Sequence, residues 1–402
     1  MKKGICIALF FLLSYPVLFA QGVSSIRGKV TDSATGNPLP GCSVFINSSS
    51  KGTVTNNNGD FVMQNLPEGK FELIISSIGY ETYLYEYRDG QLPAQLKIAL
   101  KQKTTVLSPV TVEPFIKQKK AWPVWGKTFL DNFIGKTPNA RECVIKNLGA
   151  LKFRFSKRYN RLTVTADEPL IIENRALGYT IRYQLEEFYC DYETHITLYV
   201  GYPLFSPMTG SEKKMIYWRE QRKKIYYGSI THFMKSLFAD RIEQEGYQAI
   251  RNVKIPNTEK QRIRELYKTL VPAADTFEIR QDGSVRKMNT KTAFAADSIP
   301  YYEMILGRPD FYDRLSPVTA DSIVSTKTDG SKSILFEGIL HVVYSNPKQK
   351  ANLKSDIYLM TPAPVDLEKN GGYYPSQELV LSGYWGIYEK IANTLPLDYL
   401  PE

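Results

Sequence analysis

The sequence predicts a small all-β sandwich followed by a larger mixed α+β region. Three observations carry this. Residues 26–112 are short apolar runs separated by turn residues at near-regular intervals, the pattern of about seven antiparallel strands. Residues 150–205 alternate apolar and polar positions as a β-meander does, and the stretches 211–227 and 229–245 then repeat apolar residues at helical period. With 402 residues, 43% hydrophobic and 23% charged, the chain has a globular composition and the length for more than one core.

Ahead of the sandwich, Lys2 and Lys3 precede an apolar run that ends Leu18, Phe19, Ala20 before Gln21. A charged start, a short apolar core and a small residue at the cut predict a signal peptide over residues 1–20, and hence export to the periplasm or cell envelope, with outer-membrane association as a further option. No cysteine follows the cut, so no lipoprotein anchor is expected. No later run approaches about 18 unbroken apolar residues, so membrane contact is expected to be peripheral at most.

Within the sandwich, strands are expected at 26–31, 42–46, 52–55, 60–66, 70–77, 82–87 and 96–100, with a last one near 106–112. The stretch TNNNGDF at 55–61 has the oxygen-rich look of a calcium loop. Only Asp60 in it is charged, whereas a cation loop offers several carboxylates, and Asn58-Gly59 supplies the positive φ of a tight hairpin. It reads as a turn.

Six motifs in order carry a resemblance: GKVTD at 28–32, LPGC at 39–42, GTVT at 52–55, NGDF at 58–61, LPEG at 66–69 and IGY at 78–80. This part, residues 24–112, resembles the carboxypeptidase regulatory-like domain, a transthyretin-like β-sandwich. The resemblance implies a binding or spacing module. Residues 113–123, basic and flanked by prolines, are expected as a linker, and 124–402 as an α+β domain of unknown function.

In that second region a helix is expected at 124–134, with Trp125, Phe129 and Phe133 on one face. Meander strands follow at 151–155, 161–165, 169–173, 179–189 and 196–202. Of the two helices after them, the second has Ser229 as N-cap. TEKQ at 258–261 looks like a capping box opening a helix to 270. Strands at 333–344 and 353–360 and a short helix near 385–393 complete the region. The stretches 129–135, 166–174, 177–179 and 227–229 resemble the region that follows the same sandwich in small exported envelope proteins of Gram-negative bacteria. That resemblance implies a location and no activity.

Chemistry is sparse. The chain has three histidines, His195, His232 and His341, and three residues beyond them stand Leu198, Lys235 and Tyr344. The His-x-x-Glu of zinc carboxypeptidases is therefore absent, as is H-E-x-x-H. The length left after the sandwich, with its helices, does not suit a receptor barrel of about 22 strands. Asp191, Glu193 and His195 would share one face, and a metal, if 190–196 were a strand; a hairpin connection with solvated acids is the other reading. His232 is expected as a packed residue. Cys42 is expected to be buried, and whether Cys143 and Cys190 pair is left open.

Charge is uneven. Residues 113–290 hold 31 basic and 20 acidic residues, against 10 and 14 in 291–402. The run Lys213, Lys214, Trp218, Arg219, Arg222, Lys223 and Lys224 is either a contact for polyanions or glycans, or one helix with its aromatics inward and its charges in water. The functional expectation is a non-enzymatic envelope protein that needs no cofactor. The sandwich would act as a binding or spacer module and the later region as the main surface for another envelope protein or a surface glycan. Nucleic acid is not expected as a partner. The alternative is a polysaccharide or peptide hydrolase with its site in the later region.

Overall fold

The computed structural model describes residues 25–88, 95–103, 115–270, 277–279, 281–287, 298–346 and 351–401. The expected signal peptide and the expected strand at 106–112 lie outside them.

The sandwich comprises β1 (Ile26–Asp32), β2 (Ser43–Ile46), β3 (Gly52–Val54), β4 (Asp60–Met63), β5 (Phe71–Ser76), β6 (Tyr83–Tyr87) and β7 (Leu96–Leu100). One sheet runs β4-β1-β7 and the other β3-β2-β5-β6. The inward residues of both, among them Val30, Val44, Phe61, Leu73, Ile75 and Ile98, form one core. The β1–β7 pair is parallel, from Gly28 beside Leu96 to Asp32 beside Leu100. After β6 the chain changes sheets, so β7 arrives beside β1 in the same sense. TNNNGDF is a turn: the Asn56 side-chain oxygen accepts the backbone N–H of Asn58 and of Asp60, each at 2.9 Å. Gly59 has φ +74°, and a Cβ there would stand 2.4 Å from the Val30 carbonyl oxygen.

The next unit is a seven-stranded sheet of β8 (Ile116–Lys117), β9 (Cys143–Ile145), β10 (Leu151–Ser156), β11 (Arg161–Ala166), β12 (Leu170–Asn174), β13 (Tyr179–Asp191) and β14 (Thr197–Pro207), covered by α1 (Gln118–Phe133). The expected linker thus differs from what the structure shows: 116–123 are β8 and the first turns of α1. Pro123 removes one helical hydrogen bond, but the turn around it is held by burial of Ala121 and by Trp122 packing edge-on to Phe153. Phe129 and Phe133 are fully buried against Phe153, Phe188 and Tyr183. The 13-residue β13 pairs with β14 along one edge and divides the other between β12 and β11. Cys143 and Cys190 are free. Cys143 lies level with Asn174 and so with Tyr179, whereas Cys190 stands eleven residues up β13, roughly 36 Å away at strand rise.

After α2 (Glu212–Tyr226) and α3 (Ile230–Phe238), the strands β15 (Tyr247–Pro256), β18 (Phe311–Pro317), β21 (Ile339–Asn346), β22 (Ala351–Leu359) and β25 (Leu379–Ser382) form an antiparallel sheet in the order β18-β15-β21-β22-β25. Between them lie α4 (Thr258–Leu270), β16 (Phe277–Ile279), β17 (Val285–Lys287), α5 (Ile299–Leu306), α6 (Ala320–Ile323), β19 (Val324–Thr326), β20 (Lys332–Ile334), β23 (Val365–Leu367) and β24 (Tyr373–Tyr374); α7 (Gly383–Tyr388) follows β25. Phe233, Met234 and Leu237 of α3 pack with Tyr247, Leu340, Val342 and Trp385 into a second core, so the region after the sandwich holds two cores. Ser229 caps α3, its hydroxyl accepting the His232 N–H at 3.1 Å. The helix stops at Phe238, short of 245, and Asp240 then takes φ +54°. The cap of α4 is Asn257, whose side-chain oxygen accepts the Lys260 N–H at 3.1 Å; Thr258 is already helical. The strand expected over 333–344 is two strands, broken before Gly338 at φ +82°.

Residues 389–399 tie the three units together. The Ala392 N–H reaches the Ile134 carbonyl at 3.1 Å, and the Asn174 side chain donates to the Ala392 carbonyl at 3.0 Å. The Leu397 N–H reaches the Ser48 carbonyl of the sandwich at 2.8 Å, and Asp398 accepts the Ser50 N–H at 3.0 Å. The loop at Ser48 and Ser49 also bonds to β14 through Pro203 and Phe205. Asp366 takes Arg88 at 2.8 Å and Lys70 at 3.3 Å.

Candidate functional site

Asp191, Glu193 and His195 do not converge. Asp191 ends β13 and is buried; one carboxylate oxygen accepts the N–H groups of Glu193 and Thr194 at 3.0 and 2.9 Å, and the other takes Arg161 at 2.9 Å. Those backbone donors, with Arg161, hold its carboxyl down at about 2. Glu193 and His195 are exposed on the connection to β14, and His195 has φ +56°. The three form a turn and not one strand face. Among the described residues no group of three His, Cys, Asp or Glu is placed to hold a metal.

The basic run is α2, and it divides. Trp218 is buried, donating its indole N–H to the Arg175 carbonyl at 2.7 Å. Arg222 lies 4.0 Å from the Tyr179 ring centre and donates to the Leu177 and Gly178 carbonyls at 2.7 and 2.9 Å. These two fasten the helix to the meander and are not available to a glycan. Lys213, Lys214, Arg219 and Lys224 are exposed and Lys223 is half-buried. His232 is buried, with its Nδ1 2.9 Å from the Tyr247 hydroxyl and its Nε2 3.3 Å from Glu245. Burial lowers its affinity for a proton.

Two carboxyls line a cavity of about 260 Å³ where the sandwich meets both later units: the buried Glu72 of β5, and the half-buried Glu389, which accepts the Ile230 N–H at the start of α3. Asn47 donates to Glu72 at 2.7 Å. Burial pushes both carboxyls up, Glu389 to about 8.

The outer face of the five-stranded sheet is different in kind. Strand register sets Leu315, Ile250, Ile339, Tyr358 and Val380 on it, opposite the face that carries the core. Leu315 is 62% exposed and Phe311, at the start of the edge strand β18, is 53% exposed. A polar row crosses the same face: His341 Nδ1 lies 2.7 Å from Asp356, whose other oxygen accepts the Ser382 hydroxyl at 3.2 Å. The aspartate sits between the other two, so histidine is not positioned to take the serine proton, as a nucleophilic triad requires. The strand alternation that places His341 and Asp356 outward was readable; their pairing depends on β21–β22 register.

The model of the CarboxypepD_reg-like domain matches residues 26–112. No curated protein matches the chain. Among solved structures, a candidate membrane-associated protein of unknown function from Bacteroides fragilis is 12% identical, covers 89% of this chain and 93% of its own, and has a TM-score of 0.17. The major pilin subunit BcpA of Bacillus cereus is 13% identical over 86% of this chain and 95% of its own, with a TM-score of 0.15. A 9R-lipoxygenase from Cyanothece is 10% identical over 60% of this chain and 50% of its own, at 0.15. Scores this low carry no argument about fold or function. Among the described residues no helix is long and apolar enough to cross a membrane. The two facing sheets, the docked 55–61 turn and the family match agree, and residues 26–112 are a CarboxypepD_reg-like domain.

Proposed function

We propose that the protein is a non-enzymatic interaction protein of the cell envelope, in which the sandwich is a spacer or binding module and the later region carries the main interaction surface. One observation carries this reading: the outer face of the five-stranded sheet leaves Leu315, Phe311, Ile250 and Tyr358 in solvent around the His341, Asp356 and Ser382 row. An apolar patch with a hydrogen-bonding centre is the anatomy of a protein interface. The partner is another envelope protein that lays an apolar surface on this face. The charge of residues 1–20 and the apolar run behind it support export.

The test places a photo-crosslinking residue at position 315 and, as control, at the exposed Lys101 of the sandwich. One crosslinked protein is expected from 315 only, lost when Ile250→Asp is added. Crosslinks of equal pattern from both positions would overturn the reading.

A further inference from the structure

A cleft of about 550 Å³ opens beside α3, away from the outer sheet face, with Lys235, Arg241, Lys332 and Lys369 in its lining and Glu245 as the one acid among the lining residues. Glu245 is engaged with His232. Lys235 is half-buried: its Nζ donates to the Tyr399 carbonyl at 3.0 Å and lies 5.3 Å from the Tyr226 ring centre. Lys332 donates to the Phe238 carbonyl at 2.6 Å and lies 4.7 Å from the Phe238 ring centre. Each ammonium has three N–H groups and these contacts use one. Arg241 is exposed and the described residues form no ion pair with it.

We propose that this cleft binds the anionic group, phosphate or carboxylate, of a small organic ligand. Three cations there bond to neutral carbonyls or to nothing charged, and all three line a space of ligand size. Arg241 supplies the planar fork that fits either anion, and the two lysines supply fixed point charges. Burial also lowers the Lys235 ammonium to about 8, and an anion beside it would raise it again. The Tyr226 and Phe238 rings lie under the two ammonium groups and add a cation–π contact to each.

The test is calorimetric titration of the full chain at low salt with glucose 6-phosphate, glucuronate and glucose. The expected result is binding of at least one anion, weakened about tenfold or more by Arg241→Ala and by Lys332→Ala and weakened again by salt. The tighter of the two anions identifies the source, phosphate ester or uronate. Arg241 is exposed, so its variant keeps the fold, which the melting temperature checks. Neither anion binding better than glucose, or both variants binding as the parent does, would overturn the proposal. The Ile250→Asp variant is expected to bind the anion unchanged, which separates this site from the sheet face.

Discussion

At the residue scale, the half-buried carboxyl of Glu389 sets a pH dependence. Burial raises it from 4.5 to about 8 in the folded chain. Between those values the folded state holds a proton that the unfolded state has released. Stability from this group is therefore full below about 4.5 and falls as pH rises through about 8, at up to about 1.4 kcal/mol per pH unit. The Glu389→Gln variant keeps an acceptor for the Ile230 N–H and cannot ionise. Urea midpoints measured at pH 5.5 and 8 are expected to fall in the parent and to fall less in the variant; parallel losses would refute the assignment. Asp32 has the opposite sign. Its carboxyl accepts Gln102 and Tyr80 at 2.8 Å and the Ala34 and Thr35 N–H groups, and is held well below the usual range, the Gln102 bond contributing most. This explains physically why an aspartate closes the GKVTD motif: it ties the end of β1 to the loops on both sides.

At the element scale, α2 shows what charge and periodicity reveal and what they hide. Its helical character and inward Trp218 were legible from spacing. That Arg222 faces inward was not, because an arginine in a basic run reads as solvated until its carbonyl partners, 44 and 45 residues away in sequence, are brought beside it. Gly178 has φ +67°, and a Cβ there would stand 2.2 Å from the Trp218 ring. Trp218→Ala is expected to cost about 3–5 kcal/mol in chemical denaturation, whereas Lys213→Ala should stay within about 0.5 kcal/mol. Equal effects would return the indole to the surface. The caps repeat the lesson. Ser229 was readable because it directly precedes its apolar stripe, while Asn257 was masked by the better-known box one residue later. Asn257→Ala is expected to cost about 1 kcal/mol, and Thr258→Ala clearly less, in the same measurement. Of the site, the Asp191 turn was legible as an alternative; the sheet face was not, because it depends on which strands pair.

At the scale of the whole molecule, the sandwich is held by three separate sets of contacts, and their sum decides whether the chain unfolds as one body. The first joins Ser48 and Ser49 to β14, the second joins Ser48 and Ser50 to Leu397 and Asp398, and the third joins Lys70 and Arg88 to Asp366. Thr82 adds a bond to Glu186. A neutral hydrogen bond is worth about 0.5–1.5 kcal/mol net, and charged ones more, so no single set exceeds a few kcal/mol. The expected outcome is graded. Ending the chain at residue 396, or Asp366→Asn alone, should lower the melting temperature and leave one calorimetric transition. The two together leave the β14 and Thr82 contacts, the Lys369–Glu68 ion pair and Lys70 over the Tyr374 ring, and the sandwich, which has its own core, should then melt separately. A single transition in the double variant would mean that the remaining contacts suffice to couple the units. Two transitions in the parent would mean that the three sets never coupled them.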